Sequence, residues 1–386
     1  MCGMCQPHCP TYLLNQTETE SPRGRLSMIL GLAQQELKPD QSVIYHIDNC
    51  TGCGACEAMC PSRVPFMQLM DNAKAFMQPK YRQSLVLKTV LNLVRQPKNY
   101  KLLNLLLRSQ KLGHILRFLK LLGKNTINLQ KSIQNTPKNH FFKPFYPATC
   151  EIRGDIGLFT GCITQLFDQT TLEDSILFLT NCGYNVHLPS QQVCCGAMHQ
   201  HNGQIDVASS LGQQNQVIFQ KDSLDAVIST STGCSAQLKS QLNETPVFEL
   251  MQFISEHDLL SQLTFKPLKT SVLVHEPCSQ RYQLKQSSIT STLNSIPDLN
   301  VQDLADNHIC CGAGGSNLLS PTVTSQHLQR LKVDSINSTS AEVLVSTNYG
   351  CALHIASGLS SIRLSQNKQI EICHPVSLLV RSTSLK

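Results

Sequence analysis

Cys50, Cys53, Cys56 and Cys60, with Pro61 directly behind them, form an unbroken C-x2-C-x2-C-x3-C-P run in a chain of 386 residues. Three thiolates on one tight loop can hold three corners of a cubane [4Fe–4S] cluster. The fourth cysteine of such a run ligates a second cluster when two runs fold together. A partner run lies upstream, where Cys2, Cys5, Cys9 and Pro10 repeat the last three cysteines and the proline in register. The first cysteine of that run would fall before Met1. Structural zinc is the alternative, but zinc sites favour two separated cysteine pairs over four cysteines packed into a single short run.

A second kind of cysteine pattern fills the distal part of the chain. Cys162, the Cys194-Cys195-Gly196 motif and Cys234 form one set, and Cys278, the Cys310-Cys311-Gly312 motif and Cys351 form another. The flanks repeat as well, Ser231-Thr232-Gly233-Cys234 against Asn348-Tyr349-Gly350-Cys351. This is an internal duplication. Adjacent cysteines rarely bond to each other because the ring strains the peptide. Their side chains can instead offer two thiolates to one metal centre, with glycine letting the backbone fold close behind. Cys150, Cys182 and Cys373 fall outside the repeat and read as ordinary buried thiols. His199, His201, His354 and His374 are weak signals. His354 stands three residues after Cys351, at ligand spacing, but a core or surface histidine is the plainer reading.

The elements that must position these cysteines are legible in outline. Short β-rich runs, Ile156–Thr160, Ala226–Thr230, Ser271–His275 and Val343–Thr347, each feed into a cysteine, and helical stretches such as Leu172–Leu179 and Thr324–Val333 alternate with them. That βα pattern places the cysteines at the carboxyl ends of parallel strands, where α/β sheets put their sites. Facing one another, the two cysteine edges would enclose a shared redox centre. Upstream, Ser21-Pro22 reads as an N-cap and first helical position of a helix running to about Glu36, and another helix begins near Pro65. The fold class expected is α+β multidomain: a helical two-cluster ferredoxin-like module (1–78), a basic helical linker (79–150), and two duplicated α/β domains (151–268 and 269–386).

Charge is unevenly placed. Between Ala73 and Cys150 there are fifteen Lys and Arg and no Asp or Glu, whereas the rest of the chain carries seventeen basic against twenty-six acidic residues. Apolar residues in this segment recur at helical spacing: Leu85, Leu87, Val90, Leu91 and Val94, then Leu102–Leu107, then Ile115–Leu122. A helical linker with a solvated basic face is one reading. A docking surface for anionic lipid or an acidic partner subunit is the other. Nucleic acid is not expected, since no binding motif accompanies the charge. Eighteen cysteines in metal-ligand spacing, with no secretory signal at the start, point to a reducing cytosol rather than a disulfide scaffold. No stretch of about eighteen apolar residues exists to span a membrane.

The chain resembles the iron–sulfur subunit of glycolate oxidase, within the wider set of proteins that join a two-cluster ferredoxin module to paired cysteine-rich CCG domains. The resemblance rests on Cys2–Tyr12, Pro22-Arg23-Gly24-Arg25, Cys50–Pro61, both CCG motifs and Thr347–Cys351. It implies a peripheral electron-transfer subunit, cytoplasmic or on the inner face of the membrane. Such a subunit takes electrons from FAD-containing flavoprotein subunits that oxidise glycolate to glyoxylate and passes them toward the respiratory chain. It also implies one [4Fe–4S] cluster on Cys50, Cys53, Cys56 and Cys9. A second would use Cys2, Cys5 and Cys60, with its first ligand missing. Family members supply that ligand upstream, so a wrongly assigned start codon is expected; a chain truly starting at Met1 would carry a labile or three-iron cluster. CCG domains of heterodisulfide reductase end in Cys-x2-Cys, but Gln237 and His354 stand at the final positions here. A third iron–sulfur centre at Cys278, Cys310, Cys311 and Cys351 is therefore a hypothesis. Two other functions stay open: a heterodisulfide-reductase-like or lactate or glycerol-3-phosphate dehydrogenase subunit with a catalytic CCG site, and a sensing or assembly subunit in which clusters only hold the fold.

Overall fold

The computed structural model describes residues 2–78, 85–100, 142–220, 223–286, 289–318, 321–362 and 370–385. The apolar repeats at Leu102–Leu107 and Ile115–Leu122, and most of the basic segment, lie outside these residues.

The amino-terminal part is helical. Helices α1 (Pro10–Asn15), α2 (Pro22–Ala33), α3 (Gln41–Asp48), α4 (Ala55–Ala58) and α5 (Phe66–Met77) alternate with the two cysteine runs. Ser21 caps α2 as its sequence suggests, its hydroxyl accepting from Gly24 N at 2.9 Å. The helix ends at Ala33, short of Glu36. Gln35 turns left-handed (φ 62°), and Glu36 N and Leu37 N both bond back to Gly31 O, closing the helix early. Leu32, Val43, Ile47, Phe66, Met70 and Met77 form a small core beneath the cysteine loops. Helix α6 (Leu85–Val94) buries Leu87, Leu91 and Val94 and joins Tyr100 in a core cluster shared with Cys162, Cys194 and Cys195. Its apolar stripe therefore packs on the first α/β half.

Each half carries one sheet. The first has order β1-β3-β2-β4-β5, with β1 (Phe145–Tyr146), β2 (Gly154–Phe159), β3 (Tyr184–His187), β4 (Ala226–Ser229) and β5 (Val247–Glu249). The second has order β7-β6-β8-β9, with β6 (Thr270–His275), β7 (Leu299–Asp303), β8 (Val343–Ser346) and β9 (Glu371–Cys373). All pairings are parallel except β1 with β3. Apart from β1 the two orders are the same, so the repeat seen in the cysteines is a repeat of topology. The four β-rich runs read from sequence are β2, β4, β6 and β8. Residues on β2, β4, β6 and β8 belong to one continuous buried core together with Leu172, Leu179, Leu378 and Leu379. The halves thus share apolar interior, as parallel sheets covered on both faces require.

The halves also meet through polar side chains. Glu249 caps the helix Leu250–Glu256 through Met251 N and Gln252 N, and His374 caps the matching helix Pro375–Arg381 through Val376 N. These two caps face each other, with Nε2 and Oε1 3.6 Å apart and both side chains buried. Of the thiols outside the repeat, Cys182 is buried as expected. Cys150 is exposed and Cys373 only half-buried, because each lies at a domain edge, Cys150 in the loop before β2 and Cys373 closing the last strand.

Candidate metal centres

Cys9, Cys50, Cys53 and Cys56 line one cavity, walled by Pro10, Thr11, Pro22, Arg25, Phe66 and Met67. Left-handed Gly52 (φ 64°) and Gly54 (φ 79°) bend the loop so that its cysteines turn inward, and Gly54 then caps α4. Cys9 comes from the other run. It caps α1, and its sulfur sits 3.2 Å from Thr11 Oγ1. Burial raises the Cys53 and Cys56 thiols well above the usual cysteine value, with neighbouring cysteines adding to the effect. Four thiols aimed into one apolar cavity fit a [4Fe–4S] cluster, whose irons would take the place of the displaced protons. Cys2 and Cys60 stand close enough to Cys5 that their charges, after burial, raise its thiol too.

The Pro-Arg-Gly-Arg segment explains how Cys9 is held. Arg25 is buried, donating to Thr11 Oγ1 (2.9 Å), Glu20 O (2.8 Å), Glu20 Oε2 (2.6 Å) and His46 O (2.8 Å). Glu20 also accepts from Asn49 Nδ2 at 2.7 Å and meets His46 Nδ1 at 2.6 Å. Arg23 instead pairs with Glu18 at the surface. A Cβ at Gly24 would lie 1.8 Å from Glu18 O, so glycine is required where the chain crosses itself.

The eight cysteines of the duplicated halves line a single cavity of about 180 Å³ together with Thr51, Gly52, Asn348 and Tyr349. Cys162 and Cys234 follow β2 and β4, and Cys278 and Cys351 follow β6 and β8, the neighbouring strands at which each sheet's winding changes direction. Their sulfurs reach the paired cysteines: Cys162 to Cys194 and Cys195 to Cys234, each at 3.5 Å. In both CCG motifs the glycine is left-handed and donates its N–H back to the first sulfur, Gly196 to Cys194 at 3.5 Å and Gly312 to Cys310 at 3.3 Å. Hydrogen bonds from Cys162 and Cys195 pull the Cys194 thiol well below the ordinary range, and those from Cys278 and Cys311 do the same for Cys310.

The two halves close the chamber through Thr232, whose hydroxyl lies 2.7 Å from Ser279 Oγ and accepts from Asn348 Nδ2 at 3.3 Å. Cys53, Ala55 and Cys310 form one buried cluster, which brings the dicluster loop against the second half. Of the histidines singled out earlier, His354 is buried against Ser325 (3.4 Å) and His199 against Gln204 (2.7 Å), His201 meets Asp71 (3.3 Å), and His374 is the interdomain cap. None of the four belongs to a close metal-ligand group among the described residues. A residue that sequence reading passed over is His275, at the end of β6. Burial first, then the Lys332 charge, push it down to about 3, so its imidazole is neutral. Its signal was a polar residue at the carboxyl edge of a buried strand.

Residues 1–64 match the 4Fe-4S dicluster domain, and residues 156–239 and 272–356 each match the cysteine-rich domain. Over its whole length the chain is 26% identical to a probable glycolate oxidase iron–sulfur subunit of Bacillus subtilis, covering 93% of that protein. It is 24% identical to the glycolate oxidase iron–sulfur subunit of Escherichia coli over 94% of this chain and 90% of that one. One subunit of the fumarate reductase (CoM/CoB) of Methanothermobacter marburgensis is 27% identical over 63% of this chain and 51% of that protein. No helix among the described residues is long and apolar enough to cross a membrane. With its convergent thiols, its duplicated cysteine sheets and these matches, the chain joins a 4Fe-4S dicluster domain to two cysteine-rich domains, and is an electron-transfer iron–sulfur subunit similar to those of glycolate oxidase.

Proposed function

We propose that this chain relays electrons, one at a time, from flavoprotein subunits that oxidise glycolate toward a respiratory acceptor. The observation that carries the reading is the cavity on which Cys9, Cys50, Cys53 and Cys56 converge from two sequence runs. Cys2, Cys5 and Cys60 would hold the neighbouring cluster. A bound cluster exchanges single electrons, so two of them divide the pair delivered by a reduced flavin. The chain's own residues supply ligation, burial and the Arg25–Glu20 network beside Cys9. The basic segment within 79–150 is proposed as the face toward an acidic partner subunit or anionic lipid. Cys53→Ser in the assembled complex should abolish electron transfer to an external acceptor while glycolate still reduces the flavin. Unchanged turnover in that variant would remove the relay role.

A second reading is favoured by one observation, the eight cysteines facing one chamber. There the chamber itself would reduce a substrate such as a disulfide. Loss of activity in Cys194→Ser and Cys311→Ser, with both dicluster signals intact, would support it over the relay.

A further inference from the structure

A cleft of about 1120 Å³ opens where the helical module meets both α/β halves. The second cysteine run forms one wall through Gly54, Glu57 and Cys60, and residues Tyr282 to Lys285 of the second half form another. The first half contributes the end of the helix Thr232–Lys239. This space exceeds the roughly 300–1,000 Å³ of a small-molecule pocket.

Each of the three domains places one cation on the cleft: Arg63, Lys239 and Lys285. All three are exposed, and among the described residues none pairs with a carboxylate. The acids on the same walls are already engaged. Glu57 Oε2 accepts from Met67 N at 2.8 Å, and Asp71 accepts from Gln200 Nε2 at 2.9 Å and meets His201 Nδ1 at 3.3 Å. Lys239 and Lys285 also suit the negative ends of the helical turns they close. Arg63 lies outside any helix and has no such role.

Local backbone geometry is unusual at the same place. Arg63 and Lys285 are left-handed, with φ 50° and 53°, a region that non-glycine residues seldom occupy. Ser279–Leu284 is a π-helical turn, a rare form that is frequent at functional sites. It packs on the cysteine run at Gly54, whose Cβ position lies 3.6 Å from Gln283 Cγ. The walls also carry the amides of Gln68, Asn72 and Gln283. Such groups donate and accept at once, as a peptide backbone requires.

We propose that this cleft seats an extended acidic segment of the electron-donating partner subunit, and so brings that subunit's redox group toward the cluster held by Cys60. Charge selects the partner, the amides hold its backbone, and the size of the cleft favours a chain segment over a small anion. The proposal rests on the relay reading, which requires such a donor, and gives the docking a place apart from residues 79–150.

The test uses the full chain with a fluorescent Glu-rich peptide as probe, its binding followed by anisotropy at low and high salt. Binding that weakens as salt rises is expected. Lys239→Glu combined with Lys285→Glu should weaken it by about 10-fold or more, whereas Lys239→Arg with Lys285→Arg should keep it. No binding overturns the proposal. So does binding that survives the charge reversal, as it would if residues 79–150 held the peptide. In the chain assembled with its flavoprotein subunits, amine acylation read by mass spectrometry should spare Lys239 and Lys285 and still mark the exposed Lys269. Equal labelling of Lys239 and Lys285 in the free and assembled chain also overturns it. The relay itself is judged separately, by turnover of Cys53→Ser, in which neither lysine takes part.

Discussion

Cys53 and Cys310 come from different domains and pack into one buried cluster with Ala55, so the dicluster loop and the second cysteine pair share a wall. Thr51, two residues before Cys53, lines the chamber as well. The helical module is therefore seated on the α/β halves at the place where its cysteine run would hold a cluster. A second contact fixes it on the first half, where Gln200 Nε2 donates to Asp71 Oδ2 at 2.9 Å.

That seat depends on a glycine. A Cβ at Gly314 would lie 1.8 Å from the Thr51 carbonyl oxygen, whereas one at Gly315 would meet nothing within 4 Å. Gly314→Ala should cost about 1–3 kcal/mol through overpacking and loosen the loop. Gly315→Ala, at φ 61°, should cost only the left-handed penalty of about 1–2 kcal/mol. Denaturant unfolding of both, with limited proteolysis of the loop, separates them; an intact loop in Gly314→Ala would refute the close approach.

Arg25 anchors the other side of the cluster cavity. Arg25→Met leaves the buried Glu20 carboxylate without its 2.6 Å partner and should destabilise the module by about 3–5 kcal/mol. Arg25→Met combined with Glu20→Gln should recover part of that loss. Urea midpoints measured with cluster absorbance decide it, and equal costs for the single and double variants would deny the pairing.

Asp168 gives a pH signature. Burial raises its carboxyl above the ordinary 3.8, against opposing help from Thr171 and His374. The folded chain then keeps a proton that the unfolded chain releases first. This contribution is complete below 3.8 and is lost as pH rises through the raised folded value. Asp168→Asn cannot ionise, so its stability relative to the unaltered protein should grow with pH across that window and then level off. Melting temperatures across the acid to neutral range test it; parallel curves would contradict the shift.

Thiol reactivity should follow exposure. Cys150 is exposed, whereas Cys182 is buried and pushed up to about 12. Burial therefore leaves the Cys182 thiol almost wholly protonated at pH 8. Brief alkylation read by mass spectrometry should label Cys150 and spare Cys182, and comparable labelling of the two would be incompatible with the packing.

The sequence alone determined the chemistry and the repeat. Thiolate spacing is local: Cys50, Cys53, Cys56 and Cys60 fall on one loop wherever the chain places it, and Cys162–Cys234 against Cys278–Cys351 is visible as a duplication. The strands β2, β4, β6 and β8 were legible because buried parallel strands read as short apolar runs. The end of α2 was not, since a left-handed turn at Gln35 and bonds back to Gly31 closed it against a pattern that continued. The grouping of Cys9 with the later run and the facing of the two cysteine edges were already expectations of the sequence; only the tertiary structure decided how those sulfurs are held and which other residues meet them. Cys9 joins the later run because Arg25 and Thr11 hold its loop there, and the two cysteine edges face each other because the sheets share a core. Cys53 reaches Cys310 because Gly314 lets the loop in, and His275 approaches Cys311 and Cys351 because β6 and β8 are neighbours. Those are contacts between residues far apart in the chain, fixed by packing rather than by spacing.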